Sequence, residues 1–180
     1  MSKRRLLPIA GSAVALLLAL IVFRPVPAAS IPAGETLRGK VTTVYDGDTI
    51  KVRVSKLGEE KVRLIGVDSQ ELDDEREPVR LMAFLAKRFA FSRLFQATVE
   101  LLPGPEERDN YGRLLAFVRT ADGDIFNVTL VREGYAFAFL KFPFDEFLRK
   151  KLKAAETEAR QAGRGLWRRE PYPVIEAAEA

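Results

Sequence analysis

Three short clusters combine residue types and spacings that could do chemistry: Asp46-Gly47-Asp48-Thr49, the run from Arg63 through Asp68 and Ser69 to Glu71, and Asp109-Asn110-Tyr111-Gly112-Arg113. If folding brings Asp48 and Asp68 together, two carboxylates, a main-chain carbonyl and waters make an oxygen site for a hard divalent ion, calcium more than zinc. Arg63 and Arg113 would flank that site from two strands, and guanidinium forks match phosphate oxygens in pairs. Glu71 would then be the nearby carboxylate left to handle water. A metal, two arginines and one spare glutamate suit phosphodiester hydrolysis. The 180-residue chain has no cysteine and no histidine. Disulfides, thiol nucleophiles, Cys/His zinc sites, Ser-His-Asp triads and imidazole acid–base catalysis are thereby excluded. Taken singly, each cluster has a plainer reading. Asp-Gly is a common hairpin turn, Asp-x-Tyr-Gly-Arg is a turn into a strand, and Glu71 opens an acidic run of the kind that is usually solvated.

The elements that must position these residues are readable from periodicity. Between Leu37 and Val67 apolar residues alternate with polar ones, most clearly in Ile50-Lys51-Val52-Arg53-Val54, a strand with one wet face. Interruptions at Asp46–Thr49 and Leu57–Glu60 predict three strands, Val41–Tyr45, Ile50–Val54 and Lys61–Val67, joined by tight turns. The acidic stretch Gln70–Pro78 is a surface loop. Pro78 marks a helix start, and Leu81, Phe84, Leu85, Arg88, Phe89 and Ser92 recur at helical spacing through about Leu94. Ala97–Leu102 and Leu114–Arg119 are two more strands, separated by the turn-rich Pro103–Gly112. A short helix is expected over Asn127–Arg132, stopping at Gly134, and a last one over Asp145–Gln161, with Leu148, Leu152 and Ala155 opposite a basic face. Asn127-Val128-Thr129 fits a glycosylation sequon, but its place at a helix start points to capping. The result is an α+β chain of five strands and three helices. A Greek-key barrel of the OB type accommodates it, and strand count alone does not separate that from an SH3-like barrel.

Composition is globular, with 47% hydrophobic and 30% charged residues, which excludes disorder and multi-span membrane architectures. The net charge of +4 is supplied entirely by Lys3, Arg4, Arg5 and Arg24, so the remainder is neutral and the basic total does not by itself indicate a polyanion partner. Those four residues bracket an uncharged stretch from Leu6 to Phe23, followed by small residues up to Ser30. This is the pattern of a secretory signal, and it borders on the length of an uncleaved N-terminal membrane anchor. Either places the folded part outside the cytoplasm. The expected organisation is a leader over residues 1–30, one domain over 37–169 and a flexible tail over 170–180.

Together, the clusters resemble the staphylococcal nuclease (thermonuclease) family. The resemblance runs from about Gly39 to Trp167 and rests on Asp46-Gly-Asp-Thr, Arg63-Leu-x-x-Val-Asp68, Glu71, Asp109-x-Tyr-Gly-Arg113, Leu130-Val-Arg-x-Gly134 and Gly165-Leu-Trp167 in that order. It implies an OB barrel with three helices and calcium-dependent cleavage of single-stranded DNA and RNA by a monomer. By motif match, Asp48 and Asp68 would bind Ca2+ through carboxylates and Ser69 through its carbonyl. Arg63 and Arg113 would neutralise the phosphate, Glu71 would orient or deprotonate the attacking water, and Asp46 would form the turn or support the ligands. Three departures stand out. Ser69-Gln70-Glu71 replaces the usual Thr-Pro-Glu, and Asn110 stands where the type member has lysine. The stretch holding its paired tyrosines has Phe139, Leu140 and Phe142 instead. Tyr111, Tyr135 and Phe142 remain as candidates for contacting a nucleotide, with stacking worth roughly 1–3 kcal/mol per base. The alternative is a catalytically inactive OB module that binds single-stranded nucleic acid or a protein partner. A pure binder gives no reason for Glu71 to accompany Arg63 and Arg113.

Overall fold

Alternation of β-branched and polar residues builds a closed barrel, seen in a computed structural model that describes residues 35–170. The leader and residues 171–180 lie outside the described residues. The barrel strands are β1 (Leu37–Val44), β2 (Thr49–Val54), β3 (Gly58–Leu64), β5 (Thr98–Arg108) and β6 (Leu114–Arg119). Their order around the barrel is β1-β2-β3-β6-β5, antiparallel everywhere except the β3–β6 seam. That mixed five-stranded closure is the OB arrangement. Strand count had left the choice open, and the parallel seam decides it. Val41, Ile50, Val52, Val62, Leu64, Leu101, Leu114 and Val118 point inward and are buried, each stabilising by about 1.5–3 kcal/mol relative to exposure.

Two segments differ from the pattern expected of the sequence. The third strand ends at Leu64, because Gly66 turns the chain at φ +75°, and Val67–Ser69 becomes a separate strand, β4. β4 pairs with β7 (Ala136–Ala138) in a two-stranded ribbon outside the barrel. Asp68 is therefore carried by this ribbon and not by a barrel strand. In the other case, β5 continues past Leu102 to Arg108. A register slip between Pro103 and Arg108 lets the prolines stay in the strand, and Arg108 pairs with Leu114. The tight turn shrinks to Asp109–Gly112.

Three helices cover the barrel: α1 (Glu77–Leu94), α2 (Phe126–Arg132) and α3 (Glu146–Ala162). Pro78 sits in the first turn of α1, as expected. The face of α1 in the core is nevertheless Met82, Ala83, Ala86, Ala90 and Leu94, while Phe84, Phe91 and Phe95 are exposed. Small side chains won the buried face because they let the helix approach the barrel closely. α3 buries Leu152, Ala155 and Ala159 and ends at Gly163. Asn127 does not cap α2. It is fully buried; its Oδ1 accepts from Val118 N–H (2.9 Å) and its Nδ2 donates to Ile65 O (2.8 Å), tying β6 to the turn before β4. The closing Gly165-Leu166-Trp167 docks on α2's end, where Leu166 N–H donates to Gly134 O (2.8 Å). No helix among the described residues is long and apolar enough to cross a membrane.

Candidate active site at the barrel edge

The Asp46–Thr49 turn is built by its own first residue. Asp46 Oδ1 accepts the main-chain N–H groups of Asp48 (2.9 Å) and Thr49 (2.6 Å), which makes Asp46 the turn-former. Gly47 is required by proximity, since a Cβ there would lie 2.8 Å from Ser69 Cβ and 2.9 Å from Ala86 Cβ. The turn therefore presses against both β4 and α1, and this contact delivers Asp48 to the ribbon.

Asp48 is buried, and its carboxylate is the hub of the site. Oδ2 accepts from Ser69 N–H (2.7 Å) and Ser69 Oγ (2.9 Å), and Oδ1 accepts from Thr49 Oγ1 (3.1 Å) and faces Arg63 Nε (3.3 Å). Arg63 then spans the gap to β4. Its Nη1 donates to Leu64 O (2.8 Å) and Val67 O (2.9 Å), and its Nη2 to Asp68 Oδ1 (3.0 Å). A guanidinium has five N–H donors, so this pattern leaves one Nη2 N–H for a substrate oxygen. The sequence placed Ser69 here for its carbonyl. The structure adds that its hydroxyl and amide hold Asp48, a role that a residue-type reading passed over.

Glu71 follows on the exposed loop, within electrostatic reach of the same group. Its carboxyl is pushed above the ordinary range by partial burial and then by repulsion from Asp48, Asp73 and Asp68, with Arg63 opposing. Asp68 is raised by burial and by Asp48, again against Arg63. Burial and Asp48 push Asp46 up to about 6, despite the two N–H groups it accepts. Arg63 thus does not cancel the negative charge collected here. Among the described residues no three acidic or imidazole side chains form a ready-made metal cage. The hard oxygens of Asp48 and Asp68 do fit a divalent ion that takes its other ligands from a main-chain carbonyl, water and substrate.

A groove of about 320 Å³ opens from Arg63. Its far wall is the tip of the β5–β6 hairpin, with Asp109, Tyr111 and Arg113, and its floor and rim include Phe139, Phe142 and Phe144. Tyr111 and Phe142 are well exposed, at 86% and 56%, so their rings are available to a ligand. Tyr135 is not brought to the groove. Its ring stacks on Phe89 at 4.7 Å, under α1, which commits it to packing. The expectation that it meets a nucleotide is corrected on that ground.

Arg113 is held by Asp109, which the sequence offered only as a turn residue. Asp109 Oδ2 accepts from Arg113 Nε (2.6 Å), while Oδ1 accepts the N–H groups of Tyr111 and Arg113 (both 2.9 Å). Burial raises the Asp109 carboxyl, but Arg113 and those N–H groups outweigh it and hold it below the ordinary 3.8. Its pKa being depressed, the latch contributes above the unfolded value and is lost only as pH falls through the lower folded one. Arg108 braces the same tip through Glu60 (2.8 and 3.0 Å) and Gly112 O (3.0 Å). Asp109→Asn keeps an acceptor for the turn and removes the charge that aims Arg113. We expect kcat/KM to fall about tenfold with the fold intact, the cost of loosening an arginine at the groove wall. An unchanged kcat/KM would show that Arg113 aims itself.

Comparison with known proteins agrees with this geometry. A family model described as staphylococcal nuclease homologue matches residues 61–169. A thermonuclease from Staphylococcus intermedius is 38% identical over 130 residues, 72% of this chain and 75% of that protein. One from Staphylococcus hyicus is 33% identical over 129 residues, 71% of this chain and 74% of its own. Endonuclease YhcR of Bacillus subtilis (strain 168) is 33% identical over 159 residues, 83% of this chain and 13% of that protein. Family match, OB barrel and an arginine clamped between two aspartates beside an aromatic groove converge, and the chain belongs to the staphylococcal nuclease family as a hydrolase of the nuclease class.

Proposed function

We propose that this protein is an exported, calcium-dependent nuclease that hydrolyses single-stranded DNA and RNA as a monomer. The observation that carries the reading is the Asp48–Arg63–Asp68 constellation at the mouth of a groove bearing Arg113, Tyr111 and Phe142. Asp48, Asp68 and the Ser69 carbonyl would hold the ion, which when bound supplies positive charge to the phosphate and acidity to water. Arg63 donates its remaining N–H to a non-bridging oxygen. Arg113 stabilises the charge that grows on the phosphate and the leaving oxygen. Glu71, on an exposed loop beside Asp48 and Asp68, takes the proton of the attacking water. Tyr111 and Phe142 offer apolar ring faces to the bases, which favours unpaired strands over a closed duplex. The leader carries the domain across the membrane, after which it is released or remains tethered.

The test is cleavage of single-stranded DNA and of RNA by the full chain, with calcium, with magnesium and with chelator. Calcium-dependent cleavage of both substrates, abolished by chelator, is expected. A folded protein that binds the oligonucleotide and leaves it uncut would replace this reading with the binding-module alternative.

A further inference from the structure

The outward face of the β2–β3 hairpin carries a second feature, one rung from Arg63. Side chains alternate along a strand, so Thr49, Lys51 and Arg53 face out from β2 and Glu59, Lys61 and Arg63 from β3. The register sets Thr49 opposite Arg63, Lys51 opposite Lys61 and Arg53 opposite Glu59. The last rung is complementary, with Arg53 Nη2 2.9 Å and Nε 3.2 Å from Glu59 Oε1. The middle rung sets two ammonium groups across from each other, which destabilises a sheet. Glu59 reaches Lys51 only at 3.5 Å while engaged by Arg53, and Lys61 has no acidic partner among the described residues. The Tyr45 ring gathers the two cations, 4.7 Å from Lys61 Nζ and 6.0 Å from Lys51 Nζ. Tyr45 directly precedes Asp46, the turn-former of the active site.

Two residues along a strand span roughly 6.8 Å, so Lys61 stands one side-chain step from Arg63 on the same face. An extended nucleic-acid backbone repeats its phosphates on a similar scale. A strand whose scissile phosphate lies at Arg63 can therefore place a neighbouring phosphate over the lysine pair, where two cations on adjacent strands attract one anion. We propose that Tyr45, Lys51 and Lys61 form an additional phosphate-binding subsite for single-stranded nucleic acid, guiding the strand across the barrel's outer face away from the cleaved bond. This rests on the nuclease reading above. The chemistry required of the ligand is a phosphodiester chain longer than the pair of nucleotides at the cleaved bond.

The test is the full-length Lys51→Gln/Lys61→Gln variant, compared with wild type on a long oligothymidylate and on the thymidine dinucleotide. Both side chains face solvent, so the barrel should fold, which circular dichroism checks. We expect KM for the long strand to rise about tenfold, with kcat and dinucleotide hydrolysis unchanged. The Lys51→Arg/Lys61→Arg variant should behave as wild type. Binding of the long strand in chelator, read by fluorescence anisotropy, should lose about 0.7–1.4 from its log–log salt slope. Wild-type KM on the long strand, or equal damage on both substrates, overturns the subsite. If wild type cleaves neither substrate, the nuclease reading fails separately, and the salt slope in chelator still decides whether the lysine pair holds phosphate.

Discussion

Glu71→Gln is expected to lower turnover by about 10²–10⁴ while leaving single-stranded DNA binding nearly unchanged. The substitution is close to isosteric and lies on an exposed loop, so neither core packing nor the Asp48 hub should respond. What it removes is the group proposed as the proton acceptor. Glu71 is a carboxylate near the hub that is neither a turn-former, as Asp46 is, nor paired with Arg63, as Asp48 and Asp68 are. Single-turnover cleavage and equilibrium binding measured on the same preparation separate the two effects. Turnover equal to wild type would assign the water to another group. A matched loss of binding would make Glu71 a structural residue of its loop.

Asp48→Asn is expected to weaken both the fold and the metal site. The amide retains one acceptor oxygen, yet the carboxylate's two oxygens face four donors, from Thr49, Ser69 twice and Arg63. Hydrogen bonds to a buried charged group contribute about 1.5–3 kcal/mol each. Repulsion of Asp46, Asp68 and Glu71 by Asp48 works the other way and is relieved by the substitution. Those three groups are more exposed to solvent than Asp48, so their relief is screened, and a net loss of about 2 kcal/mol is expected. A urea midpoint measures it. Calorimetric titration with calcium, with and without a bound nucleotide, should show metal affinity reduced about tenfold or more in both conditions. Unchanged calcium affinity would remove Asp48 from the ligand set.

How much of this was legible in the sequence depends on the range of the interaction involved. Period-two alternation in Ile50–Val54, proline at the start of α1 and the apolar stripe of α3 are local signals, and the structure has those elements. The face of α1 was not legible, because the larger residues Phe84 and Phe91 face solvent while alanines pack. Only the width of the space between helix and barrel decides that. Nor was the function of Asn127, which joins Val118, nine positions away on β6, to Ile65, 62 positions away.

The three clusters, their order and the absence of histidine and cysteine were determined by the sequence alone. They are matters of residue type and spacing, and they sufficed for the family and its nuclease class. Tertiary structure decided which groups meet. β4 leaves the barrel at Gly66 and carries Asp68 to Arg63, Ser69 clasps Asp48, Asp109 latches Arg113, Tyr135 turns away to pack on Phe89, and Lys51 meets Lys61 across two strands. The physical reason is that hydrogen bonds and ion pairs act over a few ångströms, while the residues making them are up to 62 positions apart, as Asn127 and Ile65 are. Which atoms come within that reach is fixed by strand register and by how the elements pack, and linear spacing carries neither.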